Sequence, residues 1–292
     1  MLTYAETPFQ QLSSNFLEKA RVRVFIKRED LNHPLVAGNK WWKLKHNLEQ
    51  AKQAGCRTLL TFGGAYSNHI YATAAAAGQC GFESIGIIRG EETLPLNATL
   101  AFAVAQGMRL RYVSREAYRT KTESGFIENL KSELGEFYLI PEGGTNSFAV
   151  KGCVEWTEKL RAIEFDYLCL PVGTGGTIAG LIAGLPDKKV IGYSVLKYGE
   201  SMKGQIQSLA RECSGKEFSN WRIEDGYHFG GYAKSNRALA DFVRSFKEEH
   251  AIPLEEIYTG KMMFGILDGI KLGKFEPGST LLAIHTGGLQ GK

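Results

Sequence analysis

The sequence predicts an α/β protein with twisted, mostly parallel sheets flanked by helices. Short apolar segments of strand length alternate with helical segments along most of the chain, and this alternation is typical of parallel sheets with helices on both faces. Glycine-rich loops follow several of the apolar segments, as expected where a buried strand turns sharply into a helix. A chain of 292 residues is long enough for one large α/β domain or for two smaller ones.

The first half of the chain opens its predicted pattern with the apolar run TLLTF, which two glycines and an alanine-rich stretch follow. Short apolar runs predict buried strands, whereas alanine favours a helix. In chain order we expect a strand at 58–62, a helix that ends at 78, a strand at 84–89, a helix at 99–106, an extended segment at 109–113 and a strand at 137–140.

The second half continues the same alternation after a turn at Pro141–Gly144. Its strands are again apolar runs, of which YLCLPV and TLLAI are the clearest, and its helices carry apolar residues at helical spacing. In chain order we expect a helix at 150–163, a strand at 167–172, a helix after a glycine-rich loop, a strand at 190–196, helices at 202–213, 235–250 and 261–272, and a strand at 280–284.

Composition and charge exclude several classes of function. The chain is 43% hydrophobic and 23% charged, and its net charge of +4 comes from scattered residues, which predicts no nucleic-acid partner. No apolar run approaches the ~18 residues of a membrane helix, and the N-terminus lacks the pattern of a signal peptide. The five cysteines form no CxxC pair, and the histidines show no metal-ligand spacing. We expect a cytoplasmic protein with free thiols, no metal site and no membrane partner.

The loop GTGGT, Gly173–Thr177, follows the strand YLCLPV and precedes a helix. Glycines let a ligand approach the backbone closely, and a helix N-terminus offers free N–H groups and a positive dipole. This context favours a phosphate site. The loop lacks the Lys-Ser/Thr pair of a Walker A motif and the spacing of a dinucleotide fingerprint. The alternatives are a tight turn without a ligand and a mononucleotide-binding module.

Three further glycine clusters follow apolar strands, at 63–69, 141–147 and 285–288. Because the carboxyl ends of parallel strands meet at one edge of a sheet, we expect these loops to converge on one crevice. A separate stretch, GNKWWKLK, places Lys40 and Lys43 three residues apart beside two tryptophans. It is either an amphipathic helix with solvated charges or the site of a nucleophilic lysine. A nucleophilic lysine needs a lowered pKa, which burial and nearby cations supply.

The motifs GNKWWKLK, GGAYSNH, PEGGTNS, GTGGT, IYTGK and HTGG, in this order, resemble those of the pyridoxal-phosphate enzymes that include 1-aminocyclopropane-1-carboxylate (ACC) deaminase and D-cysteine desulfhydrase. These enzymes share the tryptophan synthase β-subunit fold, also called fold type II. The resemblance extends from about Gly38 to Gly288. It implies two domains with pyridoxal 5'-phosphate between them: a larger one of residues 1–42 and 148–292, and a smaller one of residues 43–147.

The resemblance also implies which residues bind the cofactor. Lys40 would form the Schiff base with pyridoxal phosphate, Lys43 would pair with the phosphate, and Asn68 would hydrogen-bond the phenolate oxygen. Thr259 would face the pyridine nitrogen, and a threonine there leaves this nitrogen largely unprotonated. The phosphate would lie at the helix N-terminus, against Gly173, Thr174, Gly175, Gly176 and Thr177.

Three residues are implied at the reacting centre. Ser67 matches the serine beside the substrate carboxylate and Cβ, and Tyr258 matches a tyrosine that packs there. Tyr232 matches a second active-site tyrosine, although its surroundings, GGYAKSN, depart from the usual GYGxPN. Trp42 stands where the family usually has an arginine, and we interpret Trp41 and Trp42 as packing residues at the hinge between the domains.

Three positions separate the two activities within the family. At Thr259 the deaminases carry Glu and the desulfhydrases Ser or Thr. At Thr286 the deaminases carry Leu and the desulfhydrases Thr, and at His69 the deaminases carry Gln and the desulfhydrases His. The resemblance therefore favours a lyase for a small amino acid, with D-cysteine as the first choice and Thr286 among the cofactor-binding residues. ACC deaminase is the alternative, and a homologue that binds the cofactor without turnover is a third possibility. A homodimer is common for this fold.

Overall fold

The computed structural model describes residues 2–290 and contains a six-stranded and a four-stranded sheet. The strands, in chain order, are β1 (Phe9–Leu12), β2 (Arg23–Lys27), β3 (Thr58–Gly63), β4 (Glu83–Arg89), β5 (Met108–Val113), β6 (Tyr138–Ile140), β7 (Tyr167–Val172), β8 (Lys189–Ser194), β9 (Trp221–Glu224) and β10 (Thr280–Ile284). The larger sheet has the order β1-β2-β10-β7-β8-β9, in which only β1 and β2 pair antiparallel. The smaller sheet, β5-β4-β3-β6, is parallel throughout.

Helices connect most of these strands. In chain order they are α1 (Asn15–Ala20), α2 (Asn39–Gln53), α3 (Asn68–Cys80), α4 (Ala98–Ala105), α5 (Ser124–Leu134), α6 (Ser147–Leu160), α7 (Gly176–Gly184), α8 (Lys203–Ser214), α9 (Arg237–His250) and α10 (Thr259–Lys271). None of the helices within residues 2–290 is long and apolar enough to cross a membrane. Parallel-dominated sheets flanked by helices confirm the predicted fold class.

Every predicted strand and helix is present; β7 and β10 have the predicted ends, and the others are shifted at one end or both. Five elements were not predicted: α1, α5, β1, β2 and β9. The strands β1 (FQQL) and β9 (WRIE) lie at the two edges of the larger sheet and are only partly buried, so polar residues interrupt their apolar pattern. The helix α1 has only six residues, and α5 buries only Leu130. Elements with so little buried surface leave a weak hydrophobic period in the sequence.

The larger sheet has a core on each face. Along β7, Leu168, Leu170 and Val172 pack into one core with α6, α7 and α8, whereas Tyr167 and Cys169 pack into the other with α9 and α10. Because side chains alternate between the faces of a strand, a strand that is covered on both sides must be apolar at every position. This explains the uninterrupted run YLCLPV and places the carboxyl end of β7 deep inside the protein.

The two sheets use separate stretches of the chain. The strands β3–β6 lie between residues 43 and 147, and the other six strands lie outside that stretch. The predicted boundary at 42/43 falls inside α2, and the boundary at 147/148 falls at the start of α6. Sheet membership does not define where a domain ends, so these boundaries stay a prediction.

The helices α2 and α6 pack tightly at the junction between the sheets. Gly152 lies so close to the carbonyl group of Trp42 that a Cβ at this position would collide with it. The Trp42 ring stacks on Trp156, with 5.7 Å between ring centroids and 8° between planes. This agrees with the interpretation of Trp42 as a packing residue, and it fixes the start of α2 beside the carboxyl end of β7.

Candidate active site

A cavity of about 310 Å³ lies where the glycine-rich loops of both sheets meet. Its wall includes residues from all four glycine clusters and from the start of α2, as the convergence of strand ends predicts. Eleven of the predicted site residues line it: Lys40, Lys43, Ser67, Asn68, Gly173, Thr174, Gly175, Thr177, Tyr232, Tyr258 and Thr286. Gly176 and Thr259 are absent from the wall.

Lys40 occupies the first turn of α2, behind a backbone turn that only glycine accommodates. Gly38 precedes the helix with φ of +72°, and a Cβ there would collide with the carbonyl group of Thr286. The backbone N–H of Gly38 also donates to the carbonyl oxygen of Glu29 at 2.9 Å. This turn points the start of α2 into the cavity. Burial lowers the pKa of Lys40 to about 8, which makes its amine available as a nucleophile or a base near neutral pH.

Lys43 lies one helical turn further on and is 1% exposed. Its Nζ donates to Oγ1 of Thr145 at 2.9 Å and to the carbonyl oxygen of Gly143. Burial and the nearby Lys40 hold the pKa of Lys43 well below its usual range. Within residues 2–290 no carboxylate lies at ion-pair distance from it. A buried ammonium without a counterion favours the binding of an anion.

The loop from β7 to α7 provides the anion site that Lys43 faces. Gly175 has φ of +81°, and α7 begins at the next residue with free backbone N–H groups. The Nδ2 group of Asn39 donates to Oγ1 of Thr177 at 2.9 Å, and Thr177 lines the cavity. A Cβ at Gly176 would lie 3.2 Å from Nζ of Lys43.

The end of β3 and the start of α3 form the opposite side of the cavity. Ser67 is the N-cap of α3, and its Oγ accepts from the backbone N–H groups of His69 and Ile70 at 3.2 and 3.3 Å. Asn68 approaches the HTGG loop so closely that a Cβ at Gly288 would lie 2.7 Å from its Nδ2. These contacts fix both polar side chains at the cavity wall.

Two tyrosines close the cavity from the larger sheet's side. The rings of Tyr232 and Tyr258 meet edge to face, with 6.0 Å between centroids. Burial raises the pKa of Tyr258, so its hydroxyl stays protonated. The loop that carries Tyr232 is anchored by Lys261, whose Nζ donates to the carbonyl oxygens of His228 and Gly231 at 2.8 and 2.9 Å. The structure thus brings both predicted tyrosines to the wall.

Thr259 is placed differently from the prediction. It was expected to face the cofactor, but it is fully buried behind the wall. Its Oγ1 donates to Oε1 of Glu255 at 3.0 Å and accepts from the Glu255 backbone N–H at 3.1 Å. The Glu255 carboxylate also accepts the backbone N–H groups of Tyr258 and Thr259, at the start of α10. This side chain caps the helix, and the cap turns the threonine away from the cavity.

The other exception, Gly176, also lies behind the wall. Its Cα faces Thr145, because a Cβ there would lie 2.9 Å from that side chain. Among the wall residues that were not predicted, two carry a charged side chain, Arg89 and Glu142. Arg89 ends β4 at the same sheet edge as the glycine loops, so its position after an apolar strand was a usable signal.

Comparison with known proteins identifies the family. A model of the family described as pyridoxal-phosphate dependent enzymes matches residues 1–287. The chain belongs to this family. Similar proteins from Pyrococcus horikoshii and Thermotoga maritima carry the provisional name 1-aminocyclopropane-1-carboxylate deaminase. The first is 32% identical over 299 residues, which cover 98% of this chain and 90% of that protein. The second is 31% identical over 308 residues, covering 99% and 96%.

Solved structures agree with this assignment. The crystal structure of an ACC deaminase homologue has a TM-score of 0.89 and 31% identity, and the match covers 100% of this chain and 92% of that one. A hydrogen sulfide-producing enzyme from Fusobacterium nucleatum has a TM-score of 0.72 with 16% identity, covering 98% and 97%. The second likeness shows the fold alone. The protein is therefore a pyridoxal-phosphate-dependent enzyme of fold type II.

The residues of the cavity fit this cofactor. Lys40 supplies an amine with a lowered pKa, and Lys43 with the start of α7 supplies positive charge for a phosphate. Asn68 and Thr286 line the same cavity. When bound, pyridoxal phosphate acts as an electron sink for a carbanion at the substrate's α-carbon. The protein's own groups must hold it, orient the substrate and move protons.

The lowered pKa of Lys40 predicts how the cofactor is captured. Only the neutral amine attacks an aldehyde, and with a pKa of about 8 the neutral fraction rises with pH and levels off above that value. We expect covalent capture of pyridoxal phosphate by the cofactor-free protein to become about tenfold faster from pH 7 to pH 9. Stopped-flow absorbance measures this rate. A rate that still climbs steeply above pH 10 would indicate an ordinary exposed lysine.

Proposed function

We propose that this pyridoxal-phosphate enzyme is a lyase for a small amino acid and that D-cysteine is its substrate. The reaction removes the α-proton and breaks the Cβ–S bond, so that hydrosulfide leaves. Hydrolysis of the resulting enamine with one water gives pyruvate and ammonia. The observation that carries the proposal is Thr286 in the cavity wall, at a position where the desulfhydrases have threonine.

The surroundings of Thr259 also support a lyase. The deaminases have a glutamate at this position, but here Glu255 already occupies the space beside the Thr259 hydroxyl. Among the described residues, Glu142 is the one carboxylate in the cavity wall. It accepts from the Tyr118 hydroxyl at 2.9 Å and pairs with Lys121 at 3.3 Å. A carboxylate engaged in this way is a poor partner for a protonated pyridine nitrogen.

Proton transfer in this proposal falls to Lys40. Its amine lines the cavity and has a pKa of about 8. A general base works best when its pKa lies near the pH of the reaction. Burial is the cause that lowers the pKa of Lys40, because it disfavours the charged form of the amine. Ser67 and Tyr258 place hydroxyl groups on the two sides of the cavity, where they orient the substrate and its leaving group.

We also propose that Arg89 binds the substrate's carboxylate. It lines the cavity, and within residues 2–290 it has neither a hydrogen-bond nor an ion-pair partner. Its guanidinium lies over the Tyr118 ring, 5.6 Å from the centroid. A Cβ at Gly64 would lie 3.6 Å from its Nη2, and the backbone turn from Gly64 leads to Ser67. Arg89 and Ser67 thus offer donors to the same part of the cavity.

Arg89→Gln tests this role. We expect the KM for the substrate to rise roughly 10- to 100-fold, because a charge-assisted hydrogen bond is lost, with a smaller change in kcat. Steady-state kinetics gives both values. The matched control is Arg109→Gln, an arginine 60% exposed on the neighbouring strand β5, which should leave KM unchanged. Equal KM values in the two variants would remove Arg89 from substrate binding.

The proposed function is tested by supplying D-cysteine, L-cysteine and ACC in parallel to the purified holoenzyme. We expect equimolar pyruvate and sulfide from D-cysteine and no 2-oxo acid from ACC. Formation of 2-oxobutanoate from ACC would instead support the deaminase, which two relatives carry as a provisional name. ACC has no α-hydrogen, so its ring must open by another route. No product from any of the three, with the cofactor bound, would leave the fold and Lys40 standing but point to a different substrate.

The assembly and location of the enzyme are also proposals. We propose a homodimer, because this state is common for the fold, and a cytoplasmic enzyme, because the five cysteines are free in the described structure. Analytical ultracentrifugation of the holoenzyme measures the molecular mass of the assembly. A mass equal to one chain would exclude the dimer.

A further inference from the structure

Two glycine loops, one from each sheet, interlock behind the phosphate site. The loop after β6 contains Gly143 and Thr145, and the loop after β7 contains Thr174 and Gly176. A Cβ at Gly143 would lie 2.7 Å from the Thr174 side chain, and a Cβ at Gly176 would lie 2.9 Å from the Thr145 side chain. Each threonine therefore fills the space that a glycine of the other loop leaves open.

A chain of hydrogen bonds runs through this contact. Nζ of Lys43 donates to Oγ1 of Thr145 at 2.9 Å, and the Oγ1 atoms of Thr145 and Thr174 are 2.6 Å apart. Thr174 lines the cavity, whereas Thr145 does not. The chain thus connects two residues of the cavity wall, Lys43 and Thr174, through a side chain that is not part of the wall.

The charge of Lys43 sets the direction of this chain. An ammonium group only donates, and a hydroxyl has a single proton. When Lys43 is protonated, Thr145 accepts from it, and the hydroxyl proton of Thr145 is then available for donation to Thr174. The proton of Thr174 is then left for a group inside the cavity. Burial keeps the pKa of Lys43 low in the empty site, and an anion in the cavity restores its charge.

We propose that Thr145 is a positioning residue for the cofactor phosphate. It relays the charge of Lys43 to Thr174, whose hydroxyl then donates to a phosphate oxygen. Because the relay crosses from the loop of one sheet to the loop of the other, the phosphate also holds the two loops together. The relay needs an anion, so the same cofactor without its phosphate, pyridoxal, gains nothing from it.

The test compares the affinities of the full-length, cofactor-free protein for pyridoxal phosphate and for pyridoxal. Thr145→Val keeps the shape of the side chain but removes the hydroxyl. We expect it to weaken pyridoxal phosphate binding roughly 5- to 20-fold and pyridoxal binding less than about twofold, since one charge-assisted hydrogen-bond relay is lost. Thr145→Ser, which keeps the hydroxyl, should restore most of the phosphate-dependent affinity.

Two controls separate a relay from a structural effect. Thr157→Val removes another buried threonine hydroxyl, one that donates to the carbonyl of Val154 within α6, and should change neither affinity. Combining Thr145→Val with Thr174→Val should weaken pyridoxal phosphate binding no more than the stronger single change, because both break the same chain. Equal weakening of both ligands by Thr145→Val, or additive effects in the double variant, would overturn the proposal.

Discussion

Lys40→Ala is expected to abolish both the visible absorbance of the covalently bound cofactor and the release of 2-oxo acid. Lys40 is the lysine of the cavity wall whose pKa burial lowers to about 8, and the variant removes the only group we assign as nucleophile and base. The loss of a general base alone lowers turnover by roughly 10²- to 10⁴-fold. Absorbance spectra and product assays of the purified variant measure the two effects.

Lys45→Ala is the matched control for this experiment. Lys45 lies on the same helix, but its side chain is 32% exposed and its Nζ pairs with Glu155 at 2.6 Å on the surface. This variant should keep the absorbance and nearly all of the activity. Normal turnover in Lys40→Ala would contradict the assignment of the active site, whatever the substrate.

Glu29→Ala is expected to destabilise the fold by about 3–5 kcal/mol, since it breaks a buried charged network. Glu29 is completely buried, and four side chains donate to its carboxylate. Oε1 accepts from Tyr4 at 2.9 Å and Thr7 at 2.7 Å, and Oε2 accepts from Asn32 and Trp42, both at 2.9 Å. The variant removes the acceptor that all four donors share, and Asn32 keeps a second bond, to the carbonyl oxygen of Gly38. Urea unfolding of the cofactor-free protein measures the change.

The same variant also leaves a buried cation without its counterion, because Nζ of Lys27, the nearest positive group, lies 3.9 Å from Oε1 of Glu29. Thr7→Val removes a single donor, keeps the shape of the side chain and should cost only about 0.5–1.5 kcal/mol. Glu6→Ala, which removes a carboxylate that pairs with Lys159 at the exposed surface, should change stability by less than about 0.5 kcal/mol. A Glu29→Ala variant as stable as Glu6→Ala would contradict the role of this network.

The Glu29 network also explains the departure at Trp42. The resemblance expects an arginine before Lys43, and the sequence alone gave no reason for a tryptophan there. In the structure the indole N–H donates to Glu29 and the ring stacks on Trp156. Trp42 therefore donates a hydrogen bond to the buried Glu29 carboxylate from a neutral indole, where an arginine would be charged. Its partner lies 13 residues earlier in a segment whose 3₁₀ turn had no sequence signal.

Local chemistry made most of the site predictable. The turn at Gly38 and the GTGGT loop depend on backbone conformations that glycine alone adopts easily, so their sequence marks their geometry. The apolar strands before them fix which sheet edge they reach. These two facts were enough to predict that the glycine loops converge on one crevice. The resemblance to the family was needed to predict that Lys40, Ser67 and Tyr258 lie there.

Contacts between distant segments were not predictable in the same way. The resemblance implied that Thr259 faces the cofactor, but a motif carries no information on which way a side chain turns. In the structure the hydroxyl and the backbone N–H of Thr259 both donate to the Glu255 carboxylate, behind the cavity wall. Thr145 meets Thr174 only because two loops from different sheets interlock. Arg89 belongs to neither a glycine loop nor a motif, and its lack of a partner is visible only in three dimensions.

The most direct test of the account identifies the lysine that holds the cofactor. Four lysines, Lys27, Lys40, Lys43 and Lys261, have pKa values that burial lowers, so reactivity alone does not distinguish them. Borohydride reduction of the holoenzyme followed by peptide mass spectrometry fixes the cofactor on its lysine. We expect the phosphopyridoxyl group on Lys40 alone. The same group on any of the other three, with Lys40 unmodified, would contradict this expectation.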